Sequence, residues 1–196
     1  MQQLIFATNN LHKTEEVRAI TAGLPYHIIT LKEAGIEIDI PEPHDTLEEN
    51  ASEKSNVIYR LTQKNCFSED TGLEVEALNG EPGVKSARYA GDERIFDKNI
   101  EKLLKNLKGH SNRKARFRAV VSLILEGKEY QFEGICNGII AEAPQGSSGF
   151  GYDPVFIPDG DTRCFAEMTL AEKNQYNHRR KAIDGMLQFL KQRHIL

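Results

Sequence analysis

Lys114-Ala115-Arg116-Phe117-Arg118-Ala119-Val120-Val121-Ser122-Leu123-Ile124-Leu125 carries a repeat of two. Ala115, Phe117, Ala119, Val121, Leu123 and Leu125 alternate with Arg116, Arg118 and Ser122. Successive side chains of a strand point to opposite faces, so this stretch reads as one long strand. The turn Glu126-Gly127-Lys128 follows, and a second run extends from Tyr130 to Ile140. Together they predict a long antiparallel hairpin.

The segments around the hairpin have other periods. Leu4-Ile5-Phe6-Ala7 is a short buried strand, followed by a helix with Val17, Ile20 and Leu24 at helical spacing. Tyr26 to Thr30 is a second short strand. A helix runs from about Thr46 to Gln63, with Leu47, Ala51, Ile58 and Leu61 on one face and Lys54 one turn past Asn50. Cys66-Phe67-Ser68 is a further strand, ending in Glu69-Asp70-Thr71-Gly72. Phe96, Ile100, Leu103, Leu104 and Leu107 mark an amphipathic helix that ends near Gly109. Ile183, Met186, Leu187 and Leu190 give the last helix its core stripe. Helices mixed with short and long strands imply an α/β fold with a mixed sheet rather than an all-parallel one.

The 196 residues suit a single domain, 1–196, with room for two lobes. The formal net charge of -4 argues against a nucleic-acid partner, which favours a basic protein. Cys66, Cys136 and Cys164 are odd in number and widely spaced, which predicts buried free thiols. The start has no basic segment and no long apolar run, so the expected setting is cytoplasmic, with no membrane partner.

Four features carry chemistry. Thr8-Asn9-Asn10-Leu11-His12-Lys13 lies between a strand and a helix, where free N–H groups and the helix dipole favour an anion. Plain helix capping by Thr or Asn is the alternative. Glu69-Asp70, with Glu42 pinned between Pro41 and Pro43, offers hard oxygen ligands of the kind that bind Mg2+. A solvated surface turn is the alternative. Gly149-Phe150-Gly151-Tyr152-Asp153-Pro154 lets the backbone approach a ligand and presents a flat ring, or is a surface loop. Glu172-Lys173-Asn174 and His178-Arg179-Arg180 form a basic cluster or a solvated face. A nucleoside triphosphate would use all four. Phosphates would take the first turn, Mg2+ the carboxylates, Phe150 the base and the basic cluster its edge. Rival motifs fail: Tyr152 stands where a P-loop needs Lys, and neither Ser147 nor Ser148 completes a nucleophile elbow.

The chain resembles the inosine/xanthosine triphosphate pyrophosphatase family. The resemblance rests on Phe6-Ala7-Thr8-Asn9-Asn10 with Lys13, Glu69-Asp70-Thr71-Gly72-Leu73, Gly80-x-Pro82-Gly83-x-x-Ser86-Ala87-Arg88-Tyr89, Gly149 to Pro154, Phe165-Ala166-Glu167-Met168, and Glu172-Lys173-Asn174 with His178-Arg179. These pieces occur in family order over nearly the whole chain. Asn177 stands where family members often have Ser. The resemblance implies an elongated α/β fold, a long central mixed sheet flanked by helices, two lobes with an active-site groove between them, and a homodimer. It implies Mg2+-dependent hydrolysis of ITP, dITP and XTP to monophosphate and pyrophosphate. By the same resemblance Thr8, Asn9, Asn10, Leu11, His12 and Lys13 hold phosphates and Asp70 activates water. Glu42 and Asp70 serve the metal. Thr71, Phe150, Gly151, Tyr152, Asp153, Lys173, His178 and Arg179 contact the substrate. Two rival readings have the same pocket: a nucleotide sensor without turnover, and a house-cleaning pyrophosphatase for other modified nucleotides.

Overall fold

The computed structural model describes residues 2–193. Among them, seven strands form one mixed sheet in the order β2-β1-β3-β5-β6-β7, with β4 on β3. β1 (Gln2–Phe6) pairs in parallel with β2 (Tyr26–Thr30) and β3 (Cys66–Val75), and α1 (Leu11–Thr21) connects β1 to β2. α2 (Leu47–Thr62) precedes β3. β4 (Pro82–Gly83) is antiparallel to β3, and α3 (Phe96–Asn106) follows it. β5 (Lys114–Leu125) and β6 (Lys128–Ile140) form the hairpin that the period of two predicted. Its turn residues Glu126 and Gly127 both have positive φ, as a two-residue hairpin turn requires. β7 (Phe156–Pro158) is antiparallel to β6, and α4 (Leu170–Lys173) and α5 (His178–Gln192) close the chain. No helix among the described residues is long and apolar enough to cross a membrane.

The chain divides into two compact units. The first holds the described residues of Met1–Asp70, Ala119–Gly134 and Arg179–Leu196. Leu4, Phe6, Phe67, Val121 and Leu123 form its core with Ile183, Met186 and Leu190 of α5. Phe6 and Phe67 stack with centroids 4.5 Å apart. Ile5, Ala7, Ile58, Cys66 and Ile124 form a separate cluster. In this unit β5 is buried on both faces, Val120, Ser122 and Ile124 included. Leu123 belongs to the cluster of α5, while Ile124 packs with Ile58 of α2 and Ser122 bonds Ser55 of α2 at 2.6 Å. Helices on both sides explain why the polar positions of the repeat fade after Arg118.

The second unit comprises Thr71–Arg118 and Ile135–His178. Leu73, Leu103, Leu107, Phe117, Phe156 and Phe165 lie in its core. Here β5 keeps strict alternation, with Ala115 and Phe117 buried and Lys114 and Arg116 exposed.

Four expectations change. β3 does not end at Glu69 but continues to Val75, because cations neutralise its acids and Leu73 pairs with Gly83. Leu61 is 62% exposed, and Leu24 lies beyond α1, which stops before Gly23 at φ 78. The last helix, expected to have Glu172-Lys173-Asn174 near its start, is two. Lys173 belongs to α4, which Thr169 caps with Glu172, and α5 starts afresh at His178. The three cysteines are buried and free, as expected.

Candidate active site

The turn after β1 is a capped helix start. The Asn10 side chain accepts from the Lys13 N–H at 3.2 Å, and Thr8 Oγ1 accepts from the Asn10 N–H at 3.1 Å. Asn9 donates to the Ile38 carbonyl at 2.9 Å. The capping reading is therefore realised, and part of the helix N-terminus already has an acceptor. Leu11 is 70% exposed, and His12 is exposed beside Glu15. Lys13 turns the other way. Its Nζ lies 3.2 Å from Glu69 Oε2 and 3.4 Å from the Glu69 carbonyl.

β3 delivers Glu69 and Asp70 into the first unit as buried acids, so the solvated-turn alternative does not hold. α2 brings Lys54 to them. Its Nζ lies 2.8 Å from Asp70 Oδ1, 2.6 Å from Glu42 Oε1 and 3.0 Å from the Glu69 carbonyl. One turn earlier, Asn50 holds the segment before the helix by two 3.0 Å bonds to the His44 backbone. Arg179 closes the cluster. Its Nε and Nη2 donate to the two Glu69 oxygens, each at 3.1 Å, and its Nη1 donates to Glu16.

In these ion pairs four carboxylates (Glu16, Glu42, Glu69, Asp70) face three cations (Lys13, Lys54, Arg179). Burial raises the pKa of Glu42, but Lys54 and Lys13 overcome it and hold the carboxyl at about 2. Asp70 goes the other way. Burial pushes it above the usual carboxylate range, the Glu42 charge adds to this, and Lys54 and Lys13 offset it only in part. Burial would lower Lys54, but Asp70 and Glu42 raise it, so the ammonium stays charged. Arg179 is held charged in the same way by Glu69 and Glu16 against its own burial.

Among the described residues no group of three or more His, Cys, Asp or Glu side chains is arranged to hold a metal. The donor set nevertheless fits Mg2+. One oxygen of Glu42 and one of Asp70 converge on a single cationic centre, and Mg2+ takes one or two carboxylates plus phosphate and water oxygens.

The second unit holds the other predicted residues. Gly149 and Gly151 have φ of 78° and 63°, which a side chain would strain. A Cβ on Gly149 would also collide with the Asp153 carboxylate. That carboxylate accepts from the Phe150 N–H at 2.9 Å and from Lys173 Nζ at 2.7 Å. Lys173 is buried, and its Nζ lies 5.2 Å from the centroid of the half-buried Phe150. Tyr152 is buried, its hydroxyl donating to the Ser86 carbonyl at 2.9 Å. His178 is buried, with its ring stacked on Phe117 at 4.7 Å. Thr71 is the first residue of this unit and is partly exposed.

The structure thus gathers Lys13, Glu42, Asp70 and Arg179 in one unit and Phe150, Asp153 and Lys173 in the other. Sequence reading noted Lys54 without a role and missed Glu16. The signal for Glu16 is an acid one turn before Ile20 and beside Val17, on the buried face of α1.

Residues 4–189 match the Ham1 family. The chain is 49% identical to the dITP/XTP pyrophosphatase of Porphyromonas gingivalis, over 97% of this chain and 98% of that one. It is 45% identical to the dITP/XTP pyrophosphatase of Flavobacterium johnsoniae, over 96% and 97%. Its fold matches the solved Staphylococcus aureus Ham1 protein with a TM-score of 0.88 and 37% identity, covering 98% of this chain and all of that one.

Proposed function

Since the chain belongs to the Ham1 family, we propose that it hydrolyses non-standard purine nucleoside triphosphates, ITP, dITP and XTP, to the monophosphate and pyrophosphate. The observation that carries this reading is the cluster of half-buried Glu42 with buried Lys54, Glu69 and Asp70. A pure triphosphate sensor gains little from extra carboxylates near phosphates, whereas a hydrolase uses one as a base. Asp70 is the candidate. Its pKa is raised from the ordinary carboxylate value, which brings it closer to that of an effective base. It takes a proton from water as the water oxygen bonds to the α-phosphorus. The bond from the α-phosphorus to the bridging oxygen breaks, and pyrophosphate leaves with the electron pair.

Glu42 and Asp70 would hold Mg2+, which supplies neutralisation of the phosphate charge when bound. Lys13 and the turn of residues 8–13 are assigned to phosphate oxygens, with the N–H groups of Thr8, Asn10 and Lys13 already bonded to Phe6, Thr8 and Asn10. Phe150 is assigned to the base, with Gly151, Tyr152, Asp153 and Lys173 shaping the loop that presents it. Thr71 and His178 are assigned to the nucleotide. Arg179 as donor to the six-oxygen of the purine is also part of the proposal. The structure attaches a cost to it, because the guanidinium must share or release Glu69 or Glu16.

Incubation with ITP and Mg2+ should yield IMP and pyrophosphate. IDP and orthophosphate as primary products would sink the reading. Arg179→Lys keeps the charge but not the planar fork. It should lower the preference for ITP over ATP by about 10-fold, the scale of one hydrogen bond to a charged donor. Equal losses for both nucleotides would take the base edge away from Arg179.

A further inference from the structure

Phe96 is the first residue of α3, and the residue before it breaks a local rule. Ile95 occupies the N-cap position and supplies no side-chain acceptor. Ser, Thr, Asp or Asn would normally stand there. Ile95 and Phe96 are also exposed, at 40% and 38%. Two large apolar side chains at an uncapped, solvent-facing helix start cost stability locally. Local misfits of this kind gather at functional sites.

Among the described residues Phe96 has one aromatic neighbour. Its ring centroid lies 6.3 Å from that of Phe150, with the planes inclined at 49°. The two rings are held differently. The Phe150 N–H is bonded to Asp153, and buried Lys173 lies over its ring. Phe96 stands in a run, residues 91–98, that is exposed throughout, so fewer neighbours oppose a rotation of its ring. A purine between two parallel rings needs them about 7 Å apart, twice the contact distance of roughly 3.5 Å between carbon atoms. The observed spacing falls short of that by less than an ångström, and the tilt lies within one side-chain rotation.

We propose that Phe96 is the second face of the base site, turning parallel to Phe150 so that the purine lies between the two rings. This rests on the assignment of Phe150 to the base. Phe96 reads no donor or acceptor. It adds affinity for any flat base and leaves discrimination between bases to polar groups.

Phe96→Ala should raise KM for ITP about 5- to 10-fold, the low end of the range for loss of base–aromatic stacking, with kcat unchanged. Phe96→Tyr should restore KM. The melting temperature serves as the control for folding and should stay at the wild-type value. A second measurement uses the absence of tryptophan from the chain. In a protein carrying Phe96→Trp and Asp70→Asn, emission reports this position alone. ITP should quench it saturably, and tripolyphosphate, which has no base, should not. An unchanged KM in Phe96→Ala, or equal quenching by ITP and tripolyphosphate, overturns the assignment. Absence of ITP turnover in the wild-type protein would instead overturn the proposed reaction, and the quenching experiment could still be read.

Discussion

The acid–lysine cluster of the first unit and the glycine-aromatic loop of the second both carry buried charge, but they are held by different means. The cluster is held by pairing across the chain. Arg179 reaches Glu69 over 110 positions, and Lys54 reaches Asp70 over 16. The loop is held by backbone conformation. A buried pair, Asp153 with Lys173, is fitted against glycines at positive φ. The cluster should therefore fail when a charge is removed, and the loop when a single carbon is added.

The largest expected effect is removal of a fully buried charge. Arg179→Met leaves Glu69 and Glu16 facing each other without their guanidinium. Breaking a buried ion pair from one side costs about 3–5 kcal/mol. Denaturant unfolding should show a loss on that scale, and a loss below about 1 kcal/mol would mean that the cluster is solvated after all.

Charge removal with shape retained comes next. Asp70→Asn should lower turnover of ITP by about 100-fold or more, the scale of losing a general base, while part of the nucleotide binding survives. Near-normal turnover would remove Asp70 from the chemistry. The pH profile sharpens this test. The base form of Asp70 is required, so kcat/KM should fall as pH drops through its raised pKa. Lys54→Met deletes a charge that favours the ionised form, which raises Asp70 further. The acid limb of the profile should then move to higher pH. A limb that stays in place, or moves to lower pH, would assign it to another group.

The loop is probed by addition. Gly149→Ala places a methyl group at φ 78° against the Asp153 carboxylate. Forced positive φ costs of order 1–3 kcal/mol. Because the Phe150 N–H is bonded to that carboxylate, KM for ITP should rise more than kcat falls. An unaffected KM would mean that loop geometry does not set base binding. The smallest effect is expected outside both regions. Leu61→Gln, on the exposed side of α2, should change stability by no more than about 0.5 kcal/mol. A larger loss would mean that Leu61 is covered in solution.

Much of this was legible in the residues themselves. α2 runs from a Thr46 cap to a left-handed Gln63, close to the span its apolar spacing predicts. β2 and the β5–β6 hairpin fall where their patterns place them. Those signals are local, since a period of 3.6 or 2 and a capping side chain involve residues a few positions apart. The ordered motifs pointed to the family for a related reason, because each is a short run of residue types in sequence.

Pairing and covering were not local. Nothing near Glu69 in the chain announces Arg179, and Leu61 carries the same helical spacing as the buried Ile58. Whether an acid is solvated or neutralised depends on which cation another element delivers to it. Whether an apolar residue is core depends on which element packs over its face. β5 shows both conditions in one strand, alternating through Arg118 and then covered on each face by α2 and α5. The period of its side chains comes from backbone geometry and can be read in the sequence. Their burial and ion pairing come from contacts between distant segments, which exist only once the chain has folded.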